Sequence, residues 1–140
     1  MKRGVPAAAP LVSAISIAAV LFVSLGRVDV PWAWAYVALW FGFATATVIF
    51  VDPVLLRERV RPGPGARESL AVASMAAASV WYGHLVVAGL DVGRFHWSDR
   101  VPSAARLAGF ATLASAFAAI GWALVVNPFF SSVIRVQTER

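Results

Sequence analysis

Four long apolar stretches, residues 7–25, 31–51, 69–90 and 104–126, alternate with polar segments of unequal length. Each is close to the ~20 residues an α-helix needs to cross a hydrocarbon core about 30 Å thick. The pattern predicts an all-α fold: a single membrane domain, an integral bundle of four transmembrane helices. The first stretch follows Lys2 and Arg3, and Ala33-Trp34-Ala35 lies downstream, so a cleaved signal peptide is the competing reading. It fails on length, because the apolar run is longer than a signal core, and on position, because the supposed cleavage site falls inside the next apolar stretch.

The largest interruption is residues 52–67, DPVLLRERVRPGPGAR, within a polar loop that extends to residue 68. Asp52 stands where a helix N-cap belongs and Pro53 at the first helical position, where a missing N–H costs nothing. Leu55, Leu56 and Val60 fall on one side of the helix this starts, and Arg57, Glu58 and Arg61 on the other. Pro62-Gly63-Pro64-Gly65 ends it. The expected element is a short interfacial helix. Arg57, Arg59, Arg61 and Arg67 rest their stems on the apolar boundary and offer guanidinium groups to lipid phosphates.

Composition strengthens the membrane reading. Hydrophobic residues make up 60% of the 140 and charged residues 14%, where a soluble domain carries roughly a quarter charged. The net charge of +5 does not indicate a nucleic-acid partner, because the basic residues lie between apolar runs and not on a soluble basic face; membrane lipids are the expected counterions. With no cysteine there is no disulfide framework, thiolate nucleophile or cysteine-ligated metal.

Within the stretches, Trp32, Trp34, Tyr36 and Trp40 open the second, where such rings mark the headgroup interface. His84 is an ionisable group inside the third and hence a functional candidate. The plainer reading has its imidazole bonded to one hydroxyl or carbonyl of a neighbouring helix. It has no metal-binding companion, since His96, the only other histidine, belongs to the expected loop 91–103, DVGRFHWSDRVPS. His96, Ser98 and Asp99 are the residue types of a catalytic triad, but three groups within four residues of one turn do not form the relay. In the fourth stretch Ala111, Ser115, Ala119 and Ala123, with Ala104, Ala108, Thr112 and Ala116 beside them, form small-residue stripes. Such stripes let helix backbones approach closely in lipid, so this helix is expected at the centre of the bundle, and also as a surface for homo-oligomers. Asn127-Pro128 ends it, Asn127 being the second intramembrane polar candidate.

Orientation follows from the basic residues. With a cytoplasmic N-terminus, Lys2, Arg3, Arg57, Arg59, Arg61, Arg67, Arg135 and Arg140 are on the inner side and Arg27, Arg94, Arg100 and Arg106 on the outer. Eight against four places both termini in the cytoplasm, N-in and C-in, in what is expected to be a bacterial inner membrane.

Three segments, DPVLLRERVRPGPG, GLDVGRFHWSDRVP and NPFFSSVIRVQTER, resemble in order and spacing the N-terminal half of the isoprenylcysteine carboxyl methyltransferase family, the broad group that includes phospholipid methyltransferase-like bacterial members. The matching positions are Glu58 and Arg59 in the loop, Asn127, Phe129 and Phe130 at the end of the fourth stretch, and Arg135, Gln137, Glu139 and Arg140 in the tail. The resemblance implies methyl transfer from S-adenosylmethionine to a lipid-like or isoprenylated acceptor at the cytoplasmic face. In that family the cofactor site lies mostly after the run ending in Glu-Arg, in a segment with an Arg-His-Pro motif that this sequence lacks. No catalytic or cofactor-binding residue carries over, and S-adenosylmethionine is not expected to bind this chain alone. Two functions follow as expectations. One is the membrane-embedded N-terminal portion of a methyltransferase-like protein, either truncated or completed by another chain. The other is a non-catalytic four-helix membrane protein that binds lipid or a partner.

Overall fold

The computed structural model describes residues 7–53, 56 and 68–127. Among the described residues the fold is built from four long α-helices: α1 (Ala9–Leu25), α2 (Pro31–Phe50), α3 (Glu68–Leu90) and α4 (Ser103–Val126). The expected all-α architecture is what the chain adopts. α2, α4 and the segment Ser74–Phe95 are each long and apolar enough to cross a membrane. That is the makeup of a membrane protein. α1 starts two residues later than its apolar run and spans 17 residues, about 25 Å of rise.

Local chemistry explains the ends. Pro10 sits in the first turn of α1, and Gly26 closes that helix at φ +68, its N–H donating to Phe22 O at 2.9 Å. A left-handed terminal residue is most easily glycine. Pro31 starts α2 at N1. α4 stops at Val126, and Asn127 is extended (φ −110, ψ 98), as a residue before proline prefers. Leu56 N–H donates to Asp52 O at 2.9 Å, the first helical turn expected after the Asp52-Pro53 pair. The remainder of that interfacial helix, with Arg57, Arg59, Arg61 and Arg67, lies outside the described residues, as do Arg135, Gln137, Glu139 and Arg140.

The segment after α3 differs from expectation. Its first five residues, Asp91–Phe95, are a π-helical turn continuing α3 and not loop. His96 closes it in the left-handed region at φ 56, donating its N–H to Asp91 O at 2.7 Å. Turns do follow at residues 97–100, but the carboxylate of Asp91 holds the helical chain one turn further: it accepts Ser98 N–H at 3.0 Å and the Ser98 hydroxyl.

The helices alternate in direction. α1 is the hub, packing on α2, on α3 and on the π-turn, while α4 is attached through α2. Ala14, Ile17, Leu21 and Ser24 form the buried seam of α1 at heptad-like spacing, with Leu25 beside it. Against this seam α3 sets Leu85, 2% exposed, and then two glycines. A Cβ at Gly89 would lie 2.6 Å from Ser24 Cβ, and one at Gly93 would lie 2.1 Å from Leu25 O. Gly89 and Gly93 are a Gly-x-x-x-Gly pair that brings two backbones together, the use of glycine that helices in lipid favour.

The expectation that α4 is central is overturned. Ala104, Ala108, Ala111, Thr112, Ser115, Ala116 and Ala119 are exposed, and the buried positions of α4 are Phe117 and Leu124. The rings of α2 decide this. Trp32 stacks on Phe110 at 5.4 Å, Phe43 stacks on Phe117 at 4.6 Å, and Trp40 meets Phe117 edge-on at 5.7 Å. Large rings offer more contact and quadrupole complementarity than alanine, so the aromatic side of α4 turns inward and the alanines turn out. Trp40 is likewise no interface anchor. It lies about 14 Å along α2 from Pro31, donates Nε1–H to Ser13 Oγ at 3.2 Å and touches Trp81 at 4.9 Å.

Candidate functional site

At the end of the bundle where α1 and α3 finish and α2 and α4 begin, the helices border a half-open cavity of about 480 Å³. It exists because α4 leans on α2 and not on α3. Its walls are apolar: Leu21 and Leu25 from α1, Trp32, Ala33 and Tyr36 from α2, Leu85 and Ala88 from α3, and Gly109, Phe110 and Leu113 from α4. Its polar edge is formed by Asp91, Ser98, Asp99 and Arg106. A volume within the roughly 300–1,000 Å³ of small-molecule sites, with apolar walls and a few polar groups at one rim, fits the apolar part of an amphiphile.

The polar edge does not assemble hydrolytic machinery. Ser98 directs its hydroxyl to Asp91, whereas His96 Nδ1 lies 3.4 Å from Asp99 Oδ1. His96 and Asp99 thus pair with each other while Ser98 pairs with Asp91, and no imidazole is placed on the serine.

His84 has the hydroxyl partner the plainer reading called for. Its Nε2 is 3.3 Å from Tyr36 Oη, and the ring meets Trp81 edge-on at 5.1 Å. Tyr36 therefore joins the two features, lining the cavity with its ring and holding His84 with its hydroxyl. Other polar contacts tie the helices together: Tyr82 and Ser16 share a hydrogen bond at 3.3 Å across α1 and α3. Asn127 stands at the far end of α4, one bundle length from the cavity. Among the described residues no three His, Cys, Asp or Glu side chains are grouped to hold a metal ion.

Beside the cavity end, the short α1–α2 connection is braced by Arg27, which donates Nε–H and a terminal N–H to the two carboxylate oxygens of Asp29 at 2.6 and 2.7 Å. These hydrogen bonds hold the Asp29 carboxyl below its ordinary pKa and raise that of Arg27. Two further apolar grooves open outward. One, of about 1040 Å³, runs between α1 and α2 from Leu11 to Phe41. The other, of about 570 Å³, lies between α2 and α4 at the opposite end, lined by Gly42, Phe43, Thr47, Phe50, Trp122 and Val125.

Sequence reasoning missed Asp91, Arg106 and the cavity. The signal within reach was the Gly-x-x-x-Gly pair at Gly89 and Gly93, which marks where α3 closes on α1. No protein family, curated protein or solved structure matches this chain.

Proposed function

We propose that this chain is a non-catalytic helical membrane module that binds a lipid-like amphiphile, with the ligand's apolar chain in the cavity beside Tyr36. The observation that carries the reading is the cavity itself, apolar on its helical walls and polar at a single edge. The three long helices cross the bilayer, and α1 crosses with them, since α2 begins at the end where α1 finishes. The basic-residue count puts the cavity end on the outer side and the 52–67 loop in the cytoplasm.

The test is native mass spectrometry of the delipidated protein in detergent with a monoacylglycerol. One saturable adduct is expected. Gly109 lines the cavity and a Cβ built there has nothing within 4 Å, so Gly109→Leu is expected to narrow the cavity while the helix is kept. The variant is expected to lose the adduct while its thermal unfolding is kept. Unsaturable binding, or equal binding by Gly109→Leu, would overturn the reading.

A second reading has a separate motive, the three-segment resemblance to the isoprenylcysteine carboxyl methyltransferase family. In it the chain is the acceptor-holding portion of an S-adenosylmethionine-dependent methyltransferase-like protein. The acceptor's chain rests in the α2–α4 groove, whose lining includes Val51, next to the 52–67 loop. The two readings place ligand at opposite ends of α2. A photoreactive isoprenoid that labels Phe50 and Trp122 supports the second; labelling of Trp32 and Phe110 supports the first. Titration of S-adenosylmethionine into the chain in nanodiscs, without and with a candidate completing chain, tests the second directly.

A further inference from the structure

We infer that Arg106 receives the phosphate of a glycerophospholipid whose acyl chain fills the cavity; this rests on the amphiphile reading above. Four charged or polar side chains edge the cavity, and three already have partners. Asp91 accepts twice from Ser98, and Asp99 lies 3.4 Å from His96. Arg106 makes no ion pair among the described residues. Arg106 is therefore the one charged side chain of this edge without a polar partner among the described residues, and its planar fork matches phosphate oxygens.

The position of Arg106 in the fold adds to this. It sits in the opening turns of α4, a helix with no side-chain cap and no acidic residue in its first turn, so the helix end contributes positive potential of the same sign. Asp91 and Asp99 line the cavity from the π-turn and the connection after it, not from α4. They repel an anion there and assign the phosphate to the α4 wall. With Phe110 and Leu113 on the same helix as Arg106, head and chain recognition are built into one element.

The experiment compares lysophosphatidylglycerol with monoacylglycerol of the same chain length, by native mass spectrometry of the delipidated full chain in neutral detergent. One charge-assisted contact is expected to give the lysophospholipid about a ten-fold tighter one-to-one adduct. Arg106→Gln is expected to abolish that preference and leave the monoacylglycerol adduct unchanged. Arg100→Gln, which removes the same charge from the connection just before α4 without touching the cavity, is expected to keep it. Equal binding of the two lipids by the native chain, or a preference that survives Arg106→Gln or falls equally with Arg100→Gln, would overturn the inference and leave the amphiphile reading standing. A fatty acid that binds as tightly as the lysophospholipid at a pH where it is ionised would overturn the phosphate assignment. Absence of saturable binding by both glycerolipids would overturn the amphiphile reading as well.

Discussion

The α1–α3 crossing and the α2–α4 contact solve the same problem by opposite means. At the first, Gly89 and Gly93 remove side chains so that backbone meets backbone. At the second, Phe43 and Phe117 stack with ring centroids 4.6 Å apart, and Trp40 and Trp32 add further rings. In lipid, apolar area gains little from leaving the solvent, so close packing must supply the association. Glycine does it by proximity and tolerates nothing larger. Rings do it by area and leave room around them, and the room beside Trp32 and Phe110 is the cavity.

The comparison can be broken most severely at Gly93. A methyl group there would meet Leu25 O at 2.1 Å, a backbone atom that cannot rotate away, so Gly93→Ala should force α3 off α1. Gly89→Ala meets the Ser24 side chain and Leu21 O, at 2.6 and 3.0 Å, and should cost about 1–3 kcal/mol. Thermal or SDS-induced unfolding in detergent measures both, with Gly93→Ala the worse of the two. Equal stability of Gly93→Ala and the native chain would show that the two backbones do not touch.

Phe117→Ala should follow, at less than the ~3–5 kcal/mol of a soluble core, because lipid can enter the space the ring leaves. It should loosen α4 alone. Crosslinking between cysteines introduced on α2 and α4 should fall, while α1–α3 crosslinking holds. A uniform loss of all crosslinks would mean that the two contacts are one cooperative unit.

The polar ties come next. Tyr36→Phe removes the hydroxyl that meets His84 and should cost about 0.6 kcal/mol, the usual size of a hydrogen bond between membrane helices. A double-mutant cycle with His84→Phe should return that coupling, and a coupling of zero would mean the imidazole is held by something else.

The smallest effect belongs to the surface pair Arg27–Asp29. Its folded carboxyl titrates below the ordinary value, so the stabilisation is fully present above the unfolded pKa of ~3.9 and is lost as pH falls through the lowered folded value. Both side chains are largely exposed, and salt should screen the pair. Carbon NMR of the Asp29 carboxyl should show a midpoint below the usual carboxylate range that Arg27→Gln restores.

Much of the fold was legible because it depends on local signals. Pro31 at the first position of α2, Gly26 after α1 and Asn127 before Pro128 mark helix ends by backbone sterics alone. The π-turn was not legible, because Asp91 and Ser98 read as turn formers and only their mutual hydrogen bonds show which structure they stabilise. The candidate site was less legible still. Arg106 reads as one basic residue at the start of the fourth apolar stretch until α2, α3 and α4 are placed around it.

The class of the molecule, an all-helical chain with membrane-length apolar helices, is written in the residues alone, since apolar run length and proline and glycine positions act within one segment. Which face of each helix is used is set by packing. Small-residue stripes on α4 and glycines on α3 are equally capable of close packing. The rings of α2 claim the aromatic side of α4 and leave its alanines outward, while α1 claims the glycines of α3. That choice depends on competition among neighbours for the same surface, which no single helix encodes, and it opens the cavity beside Arg106.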